Sequence, residues 1–292
     1  SKINTFSVAP DLSNGQLEPG DESEYAKIIA NQIKSNHKTI RYSKDNFFNR
    51  INDCLYFNDG LLFHSNSIPL NHMFKKINND YNIKVILGGE GADEVFRGYS
   101  VNKIASLYSK INFDLGKISF EKIFDYKYSF NKGFMKYFEQ KNFYFKLAID
   151  RNKHLNPYFV NDLLEIKGQV SDDRIRLIES MKNLSIENQL IYYEQKCYLS
   201  GLLQRIDRMS MQWGIESRVP YLDHRIVNYM NQINSNDKSG ITEKSVKKLL
   251  KKVASKHINK IIINRKKYGF STPVEKYHSN LNDRVKKYIS NN

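Results

Sequence analysis

Short apolar runs, separated by stretches of helical periodicity, fill the first hundred residues of the chain. Residues 3–8 and 39–42 have the β-branched and aromatic content of strands. Ile83 and the run at 85–87 read as a buried parallel strand, because their apolar side chains do not alternate with polar ones. Strands that alternate with helical sequence indicate βαβ units. We therefore predict an α/β fold with a mostly parallel sheet.

Capping residues and the spacing of apolar positions mark the helices between these strands. Acidic and hydroxyl residues at 21–23 precede a helix that places Tyr25, Ile29 and Ile33 on one face. The other helices predicted here cover residues 45–55 and, after a loop that begins at 65, the residues up to 77.

From residue 99 to residue 200 helical periodicity dominates, with many Phe, Tyr and Lys residues. Aromatic positions that recur at helical spacing are more typical of a core than of a base-stacking surface, so we predict a large helical layer packed on the sheet. We divide the 292 residues into an α/β part at 1–100 and a mainly helical part at 101–292.

The net charge of +15 is the unusual feature of the composition. It permits binding to nucleic acid or an anionic surface. The joint abundance of Lys, Asn, Ile and Tyr favours a second explanation, which is drift toward AT-rich codons. We interpret the seven lysines at 241–260 as the solvated face of a helix. On this interpretation nucleic acid is not a partner, and any affinity for duplex DNA is weak and is lost as salt is added.

Neither the apolar runs nor the cysteines point to a membrane or to secretion. No apolar run approaches the roughly 20 residues that span a bilayer, and no signal-peptide pattern opens the sequence. Cys54 and Cys197 have no metal-ligand spacing and form no disulfide framework. We therefore expect a protein of the reducing cytoplasm without a membrane partner.

A glycine-rich turn that carries three carboxylates follows the predicted strand at 85–87. Residues 88–99 read GGEGADEVFRGY, and ligands of open α/β sheets bind at this end of a strand. Glu90, Asp93 and Glu94 would repel one another unless a cation or a polar reactant lies among them. The alternative is a solvated acidic helix start, where carboxylates favour the helix dipole.

Three ordered blocks of the sequence resemble the asparagine synthetase family, the ATP-dependent amidotransferases that activate a carboxylate as its adenylate. Residues 88–99 resemble the family signature SGEGADELFGGY. Residues 206–223 resemble its DRMSM…EARVPFLD block, and residues 265–270 (RKKYGF) resemble its RxKxGF block. The first strand and the helix start at 21–26 resemble its TFSIGF…DESEYA segment.

The resemblance implies a fold, a reaction and two cofactors. The fold is a parallel sheet of the adenine-nucleotide alpha-hydrolase type with helices on both faces, and residues 1–100 form its nucleotide-binding part. The reaction is a carbon–nitrogen ligation in which ATP adenylates the side-chain carboxylate of aspartate and ammonia derived from glutamine captures the acyl-adenylate. ATP and Mg²⁺ are the cofactors that it implies.

Site residues follow from the same matches. Asp93 would hold Mg²⁺, Glu90 would steer or deprotonate the incoming amine, and Lys267 would contact the phosphates and stabilise charge during acyl transfer. The ATP-binding residues implied by the resemblance are Val8, through its main chain, Gly88, Gly89 and Lys267.

The second block adds charged residues whose role is left open between structure and substrate. Leu202, Leu203, Ile206, Met209 and Trp213 mark the buried stripe of a helix, and Asp207 follows Leu203 by four residues. A buried carboxylate needs a partner. We therefore predict that Asp207, Glu216 and Arg218 form a buried ion network behind the site, with a direct substrate contact by one of them as the alternative.

Departures from the family pattern limit these inferences. Family members bind pyrophosphate with an SGGxDS loop on a strand ahead of the first strand seen here, and their glutaminase domain has an N-terminal cysteine nucleophile. Residues 1–292 contain neither pattern. We expect the chain to be the carboxyl-terminal portion of a longer protein, with an amino-terminally incomplete α/β part, or a degenerate relative. In either case it should form no adenylate by itself.

Three smaller departures concern single positions. Gly88 replaces the serine of the family signature and so loses a hydroxyl, and Arg97 replaces a glycine and adds a cation near Asp93. Residues 64–69 lack the aspartate that the corresponding family segment often carries, so we assign no role to His64.

Two other functions remain open at this point. An adenylating amidotransferase or cyclase of the same fold could act on a carboxylate other than aspartate. A non-catalytic basic relative could instead bind a partner or nucleic acid. Neither the acceptor nor the oligomeric state follows from the sequence.

Overall fold

The computed structural model describes residues 2–11, 21–62, 64–99, 102, 176–177, 180–181, 183–240, 245–265, 269–270 and 272. These residues confirm an α/β fold with parallel strands and a helical majority. In chain order, the described elements are β1 (Asn4–Pro10), α1 (Ser23–Gln32), β2 (Asn36–Tyr42), α2 (Lys44–Asn49), α3 (Ile51–Phe57), α4 (Ser67–Tyr81), β3 (Val85–Leu87), α5 (Ala92–Phe96), α6 (Ile186–Tyr193), a π-turn (Glu194–Tyr198), α7 (Leu199–Met211), β4 (Glu216–Arg218), a 3₁₀ turn (Pro220–Leu222), α8 (His224–Gln232), α9 (Ser235–Lys238), α10 (Lys248–Ala254) and α11 (Lys260–Asn264).

The chain forms two compact units that interleave along the sequence. The first unit comprises Ser1–Gly88, Gly201–Pro220 and Val253–Asn292, and the second comprises Gly89–Ser200 and Tyr221–Lys252. The division at residue 100 into an α/β part and a helical part stays a prediction.

The first unit opens with the predicted βαβ arrangement. β1 and β2 pair in parallel along their whole length, from Asn4 opposite Asn36 to Pro10 opposite Tyr42. Two parallel neighbours cannot be joined by a tight turn, and α1 provides the crossover between them. Ile33, which we placed on the apolar face of that helix, is exposed because α1 ends at Gln32.

The helix predicted over 45–55 is two helices, which meet at Arg50. Ser43 begins α2 with a capping box, because its hydroxyl accepts from the Asn46 amide while the Asn46 side chain accepts from the Ser43 amide. The predicted helix up to residue 77 is α4, and it ends at Asn82 in the left-handed conformation.

β3 confirms the prediction of a parallel strand but not the prediction that the strand is buried. It pairs in parallel with β4 from Val85 opposite Glu216 to Leu87 opposite Arg218. Side chains alternate between the two faces of a strand, and only Ile86 packs against the core, so Val85 is 42% and Leu87 70% exposed.

One apolar core holds the first unit together. It joins β2, α2, α3 and α4 to the part of α7 that belongs to this unit. Its buried members are Ile40, Tyr42, Phe47, Phe48, Cys54, Ile68, Leu70, Phe74, Ile77, Ile206, Met209 and Ile215. The predicted stripe is confirmed for Leu202, Ile206 and Met209, which are buried. Leu203 is only half-buried, and the half-buried Trp213 lies beyond the end of α7.

The second unit has a smaller described core, formed by Val95, Phe96 and Met230. Asp223, the last residue of the VPYLD sequence, begins α8 by accepting a hydrogen bond from the Arg225 amide. The aromatic periodicity predicted between residues 134 and 148 lies outside the described residues. Within the described part of the chain, no helix has both the length and the apolar character needed to cross a membrane.

Candidate active site

In the first unit, Gly88 continues the pairing of β3 with β4. Its amide donates a 2.8 Å hydrogen bond to the Arg218 carbonyl oxygen, so this N–H is already used within the sheet. A Cβ built on Gly88 would lie 3.6 Å from the nearest atom, Ser217 Oγ, which is an ordinary contact distance. The space at this position therefore does not itself require glycine.

Val8 lies in the middle of β1, opposite Ile40 of β2. Its side chain is half-buried and packs against the core of the first unit. Its structural role is therefore that of a sheet residue, and the nucleotide contact that we assigned to its main chain stays a prediction.

The prediction that Asp207, Glu216 and Arg218 form a buried ion network is wrong, because all three residues are exposed. Glu216 and Arg218 form an ion pair at 2.9 Å, but more than half of each side chain is exposed. Asp207 is exposed as well, because α7 turns Arg205 and Ile206 toward the interior instead. An exposed ion pair contributes about 0–1 kcal/mol, so these charges do not hold the unit together.

In the second unit, Gly91 makes the turn that starts α5. Its φ of +85° lies in the region that favours glycine, and a Cβ on it would come within 2.3 Å of Leu222 Cδ2. Both the backbone conformation and the space therefore require glycine. The conformation of this turn sets the direction of the backbone that carries Glu90 before it and Asp93 and Glu94 after it.

Asp93 forms an ion pair with Lys247, with Oδ1 and Nζ 2.9 Å apart. The pair passes directly over Gly98, where a Cβ would lie 1.7 Å from Asp93 Oδ1 and 2.2 Å from Lys247 Cε. Gly98 is therefore the residue that lets the carboxylate and the ammonium meet. About a quarter of the Asp93 side chain is exposed.

Glu94 is separated from the other two acids of the turn by its burial. Its side chain is 1% exposed, and the Tyr99 hydroxyl donates a hydrogen bond to its carboxylate. Burial raises the pKa of Glu94, and the charges of Asp93 and Glu90 raise it further. One acid of the turn is thus buried, where burial and the neighbouring charges favour its neutral form, and the half-buried Glu90 and the partly exposed Asp93 remain.

Arg97 ends α5 in a left-handed conformation, with a φ of 58°. This conformation costs an L-residue about 1 kcal/mol and suits the glycine of the family signature. The guanidinium is fully buried and donates to the carbonyls of Ser235 at 2.7 Å and Asn102 at 3.0 Å. The cation that the structure places against Asp93 is Lys247, not the Arg97 that we expected there.

The buried residue Lys238 should make the free energy of unfolding depend on pH. It is 1% exposed, and burial together with the nearby Arg97 charge lowers its pKa from 10.5 to about 8. Between these values the unfolded chain carries a proton that the native protein lacks, so the free energy of unfolding rises with pH in this window. Denaturant titrations at pH 7.5 and pH 9.5 should show the rise, and Lys238→Met should remove part of it. An identical rise in wild type and variant would contradict the prediction.

Local sequence signals did not point to Lys247 or Gly98. Lys247 belongs to the lysine-rich run that we interpreted as a solvated face, and it lies more than 150 residues from Asp93. Lys267, the basic residue that we did single out, lies outside the described residues.

Metal binding by protein side chains alone has no support in the described part of the chain. No three His, Cys, Asp or Glu residues gather there closely enough to hold an ion. Mg²⁺ in nucleotide sites needs only one or two carboxylates, because phosphates and water supply the other oxygens. Asp93 fits that requirement, since the Lys247 ammonium shows that its carboxylate attracts a cation.

Comparison with known proteins gives a consistent result. The family model described as asparagine synthase matches residues 1–292. Asparagine synthetase [glutamine-hydrolyzing] 1 of Bacillus subtilis strain 168 is 26% identical over 310 aligned positions, which cover 98% of this chain and 45% of that protein. Asparagine synthetase [glutamine-hydrolyzing] 3 of the same strain is 24% identical over 243 positions, which cover 80% of this chain and 35% of that protein. The chain thus spans less than half the length of these two relatives, and it belongs to the asparagine synthase family.

Proposed function

We propose that this chain is the synthetase part of an ATP-dependent ligase that converts aspartate to asparagine. The observation that carries the proposal is the acidic turn after β3. There Glu94 is withdrawn into the interior by Tyr99, while Asp93 and Glu90 remain partly accessible for a cation and a reactant. A solvated helix start would not need the close approach of Asp93 and Lys247 over Gly98.

The first half-reaction joins the substrate to the nucleotide. An oxygen of the aspartate side-chain carboxylate attacks the α-phosphorus of ATP, and pyrophosphate leaves. When bound, Mg²⁺ neutralises the phosphate charge. Asp93 would hold that ion, and Lys267 would contact the phosphates and stabilise the charge that develops.

The second half-reaction forms the amide. Ammonia attacks the acyl carbon of the adenylate, AMP leaves, and the nitrogen must lose a proton. Glu90 lies between Gly89 and Gly91, which carry no side chains to crowd its carboxylate. In this proposal Glu90 attracts the amine and accepts that proton.

The nucleotide contacts are proposed on β1 and on the two glycines that follow β3. The main chain of Val8 would contact the adenine, and the side-chain-free surfaces of Gly88 and Gly89 would allow the phosphates to approach. The Gly88 amide donates to Arg218, so this N–H is not among the proposed donors. The exposed Glu216–Arg218 pair and Asp207 are available as substrate-side residues.

The finer fold assignment belongs to the same proposal. β1–β2 and β3–β4 are both parallel pairs and both lie in the first unit. Among the described residues they form two separate two-stranded sheets, and we propose that both are parts of a larger sheet of the adenine-nucleotide alpha-hydrolase type, whose strand ends carry the nucleotide. The helical residues after 100 would complete the aspartate side of the site.

Two components of the proposed reaction concern the longer protein: the source of the nitrogen and the carboxylate that receives it. Both relatives bear names that include glutamine hydrolysis, and both are more than twice as long as the segment they share with this chain. Supply of ammonia by a glutaminase domain is therefore a proposal about the longer protein. Identities of 24% and 26% also leave room for an acceptor other than aspartate.

The proposal is tested by assaying the full-length protein with ATP, Mg²⁺ and aspartate, with glutamine or ammonium as nitrogen donor. We expect pyrophosphate release that depends on aspartate, together with formation of asparagine. Lys267→Met should depress pyrophosphate release while the melting temperature stays unchanged. Pyrophosphate release that requires another carboxylate would favour the related amidotransferases, and no release with any carboxylate would overturn an adenylating function.

A further inference from the structure

The carboxyl end of α5 is shaped by one residue in a conformation that L-residues disfavour. Arg97 has a φ of 58°, and in the left-handed turn that results the Gly98 amide donates a 2.8 Å hydrogen bond to the Asp93 carbonyl oxygen. The turn also places Gly98 against the side chain of Asp93, since a Cβ on Gly98 would lie 1.7 Å from Asp93 Oδ1. The backbone conformation of Arg97 therefore determines where Asp93 and Lys247 have the space to meet.

The side chain of Arg97 is fully buried and binds the main chain of two other segments of the second unit. Nη1 donates to the carbonyl of Ser235, the first residue of α9, at 2.7 Å, and Nη2 donates to the carbonyl of Asn102 at 3.0 Å. A guanidinium is planar, so its two bonds have fixed relative directions. The end of α5 is therefore connected to α9 and to Asn102 through one rigid group.

Two buried carboxylates lie near the same guanidinium. Glu187 of α6 is 5% exposed, and Glu194 of the π-turn is fully buried. Burial lowers the pKa of Arg97, whereas the charges of Glu187 and Glu194 raise it, so both carboxylates are close enough to act on the cation. Glu194 Oε2 also accepts a 3.3 Å hydrogen bond from Asn102 Nδ2. We call Arg97, Asn102, Glu187, Glu194 and Ser235 the Arg97 cluster.

We propose that Arg97 is a positioning residue, whose buried guanidinium holds the end of α5 in the turn that sets Gly98 against Asp93. Glu187 and Glu194 are its counter-ions. The role of Asp93 as a ligand of Mg²⁺ rests on the proposed function, whereas the attachment of α5 rests on the contacts alone. Arg97 stands where the family signature has a glycine, which adopts such a turn readily but has no side chain to hold it. In this chain charge-assisted hydrogen bonds hold the turn.

Arg97→Gly separates the side chain from the backbone conformation. Glycine tolerates the positive φ, so a guanidinium without a role could be replaced at no loss of stability. We expect instead that the melting temperature of the full-length protein falls by about 5 °C or more, because Glu187 and Glu194 lose the cation beside them. Lys34→Gly is the matched control, since Lys34 is a basic residue with a φ of 55° and is exposed. This control should leave the melting temperature unchanged or raise it.

Hydrogen exchange of the full-length protein, followed by mass spectrometry, reports the attachment locally. The amides of Val95 and Gly98 form hydrogen bonds within α5 and its terminal turn. In Arg97→Gly, well below the melting temperature, both should exchange about tenfold faster than in wild type, because release of α5 is a local opening. In Lys34→Gly their exchange should be unchanged. Wild-type exchange in Arg97→Gly, or a melting temperature equal to that of Lys34→Gly, would overturn the attachment.

Glu194→Gln tests whether charge holds the guanidinium. Glutamine keeps an oxygen that can accept from Asn102 but carries no charge. Combined with Arg97→Gly, it should cost less than the sum of the two single losses in melting temperature, because removal of the anion relieves the loss of the cation. Additive losses would refute the assignment of Glu194 as a counter-ion.

The Mg²⁺ dependence of pyrophosphate release is the readout that a purely structural role would not change. Arg97→Lys keeps a positive charge in the Arg97 cluster, but an ammonium lacks the planar fork that binds two carbonyls. We expect the Mg²⁺ concentration for half the maximal rate to rise by about three- to tenfold, with KM for aspartate within about twofold of wild type, because a displaced Asp93 holds the ion less well.

Two further outcomes separate the positioning role from the proposed function. Faster exchange in Arg97→Lys at an unchanged Mg²⁺ dependence would show that the Arg97 cluster is only structural and would overturn the positioning role. A full-length wild type that releases no pyrophosphate with any carboxylate would refute the proposed function instead. The attachment of α5 by Arg97 would then be decided by the exchange rates and the melting temperatures.

Discussion

Asp93→Asn in the full-length protein should lower metal-dependent pyrophosphate release by at least ~10²-fold, the loss typical of removing one electrostatic element of an active site. The substitution keeps the size of the side chain, so the close fit over Gly98 is retained. It removes the negative charge that holds Lys247 at 2.9 Å and that would hold Mg²⁺. The concentration of Mg²⁺ that gives half the maximal rate should rise as well.

Lys247→Met provides the complementary variant. In the structure the ammonium occupies the carboxylate that the metal would use, so the two cations compete. Removal of Lys247 should therefore lower the Mg²⁺ concentration needed for half the maximal rate, in the direction opposite to Asp93→Asn. If both variants lost the same fraction of the rate of pyrophosphate release, and neither changed the Mg²⁺ concentration needed for half the maximal rate, Asp93 would be only one half of an ion pair at a helix start.

Glu90→Gln should separate the two half-reactions. Adenylation needs no base, because a carboxylate attacks phosphorus and pyrophosphate leaves without a proton transfer. Amide formation does need one, because ammonia is largely protonated at neutral pH and the attacking nitrogen carries a proton that must be removed. We expect pyrophosphate release to be spared and asparagine formation from ammonium to fall by about 10²-fold or more.

Glu94→Gln is the control for that experiment, because Glu94 lies in the same turn but is buried against Tyr99. Replacing it should lower the melting temperature and depress both half-reactions together. Glu90→Gln should leave the melting temperature unchanged, since Glu90 is only half-buried. Loss of adenylation in Glu90→Gln at an unchanged melting temperature would place this residue in the metal or nucleotide site and refute the amine-handling role.

Local sequence determined the elements that depend on short-range periodicity and on backbone conformation. The alternation of β1, α1 and β2 follows from apolar spacing and capping residues, and the parallel pairing of β1 with β2 follows from that alternation. The partner of β3 did not follow, because the charged sequence of β4 does not read as a strand. The turn at Gly91 also follows, because a strand followed by several glycines can adopt the positive φ that the structure shows. The three sequence blocks were sufficient to identify the family, which the match over residues 1–292 confirms.

Rotation of a helix about its axis was decided only by the tertiary structure. Leu203 and Asp207 share nearly one face of α7, and from that spacing we placed Asp207 inside. The packing instead buries Arg205, whose guanidinium binds Asn66 from 139 residues away, and leaves Asp207 in solvent. Periodicity predicts which side chains share a face, but a partner distant in sequence decides how far that face turns toward the interior.

Pairing of charges was decided in the same way. The sequence placed three acids in one turn but could not say that Tyr99 would take Glu94 inward, or that Lys247 would be the cation on Asp93. These outcomes depend on which side chains burial brings within a few ångströms, and the strength of an ionic contact falls with distance and with access of water. A lysine in a run of lysines carries no local mark that sets it apart. Only the folded chain distinguishes Lys247, because Gly98 leaves the space in which it meets Asp93.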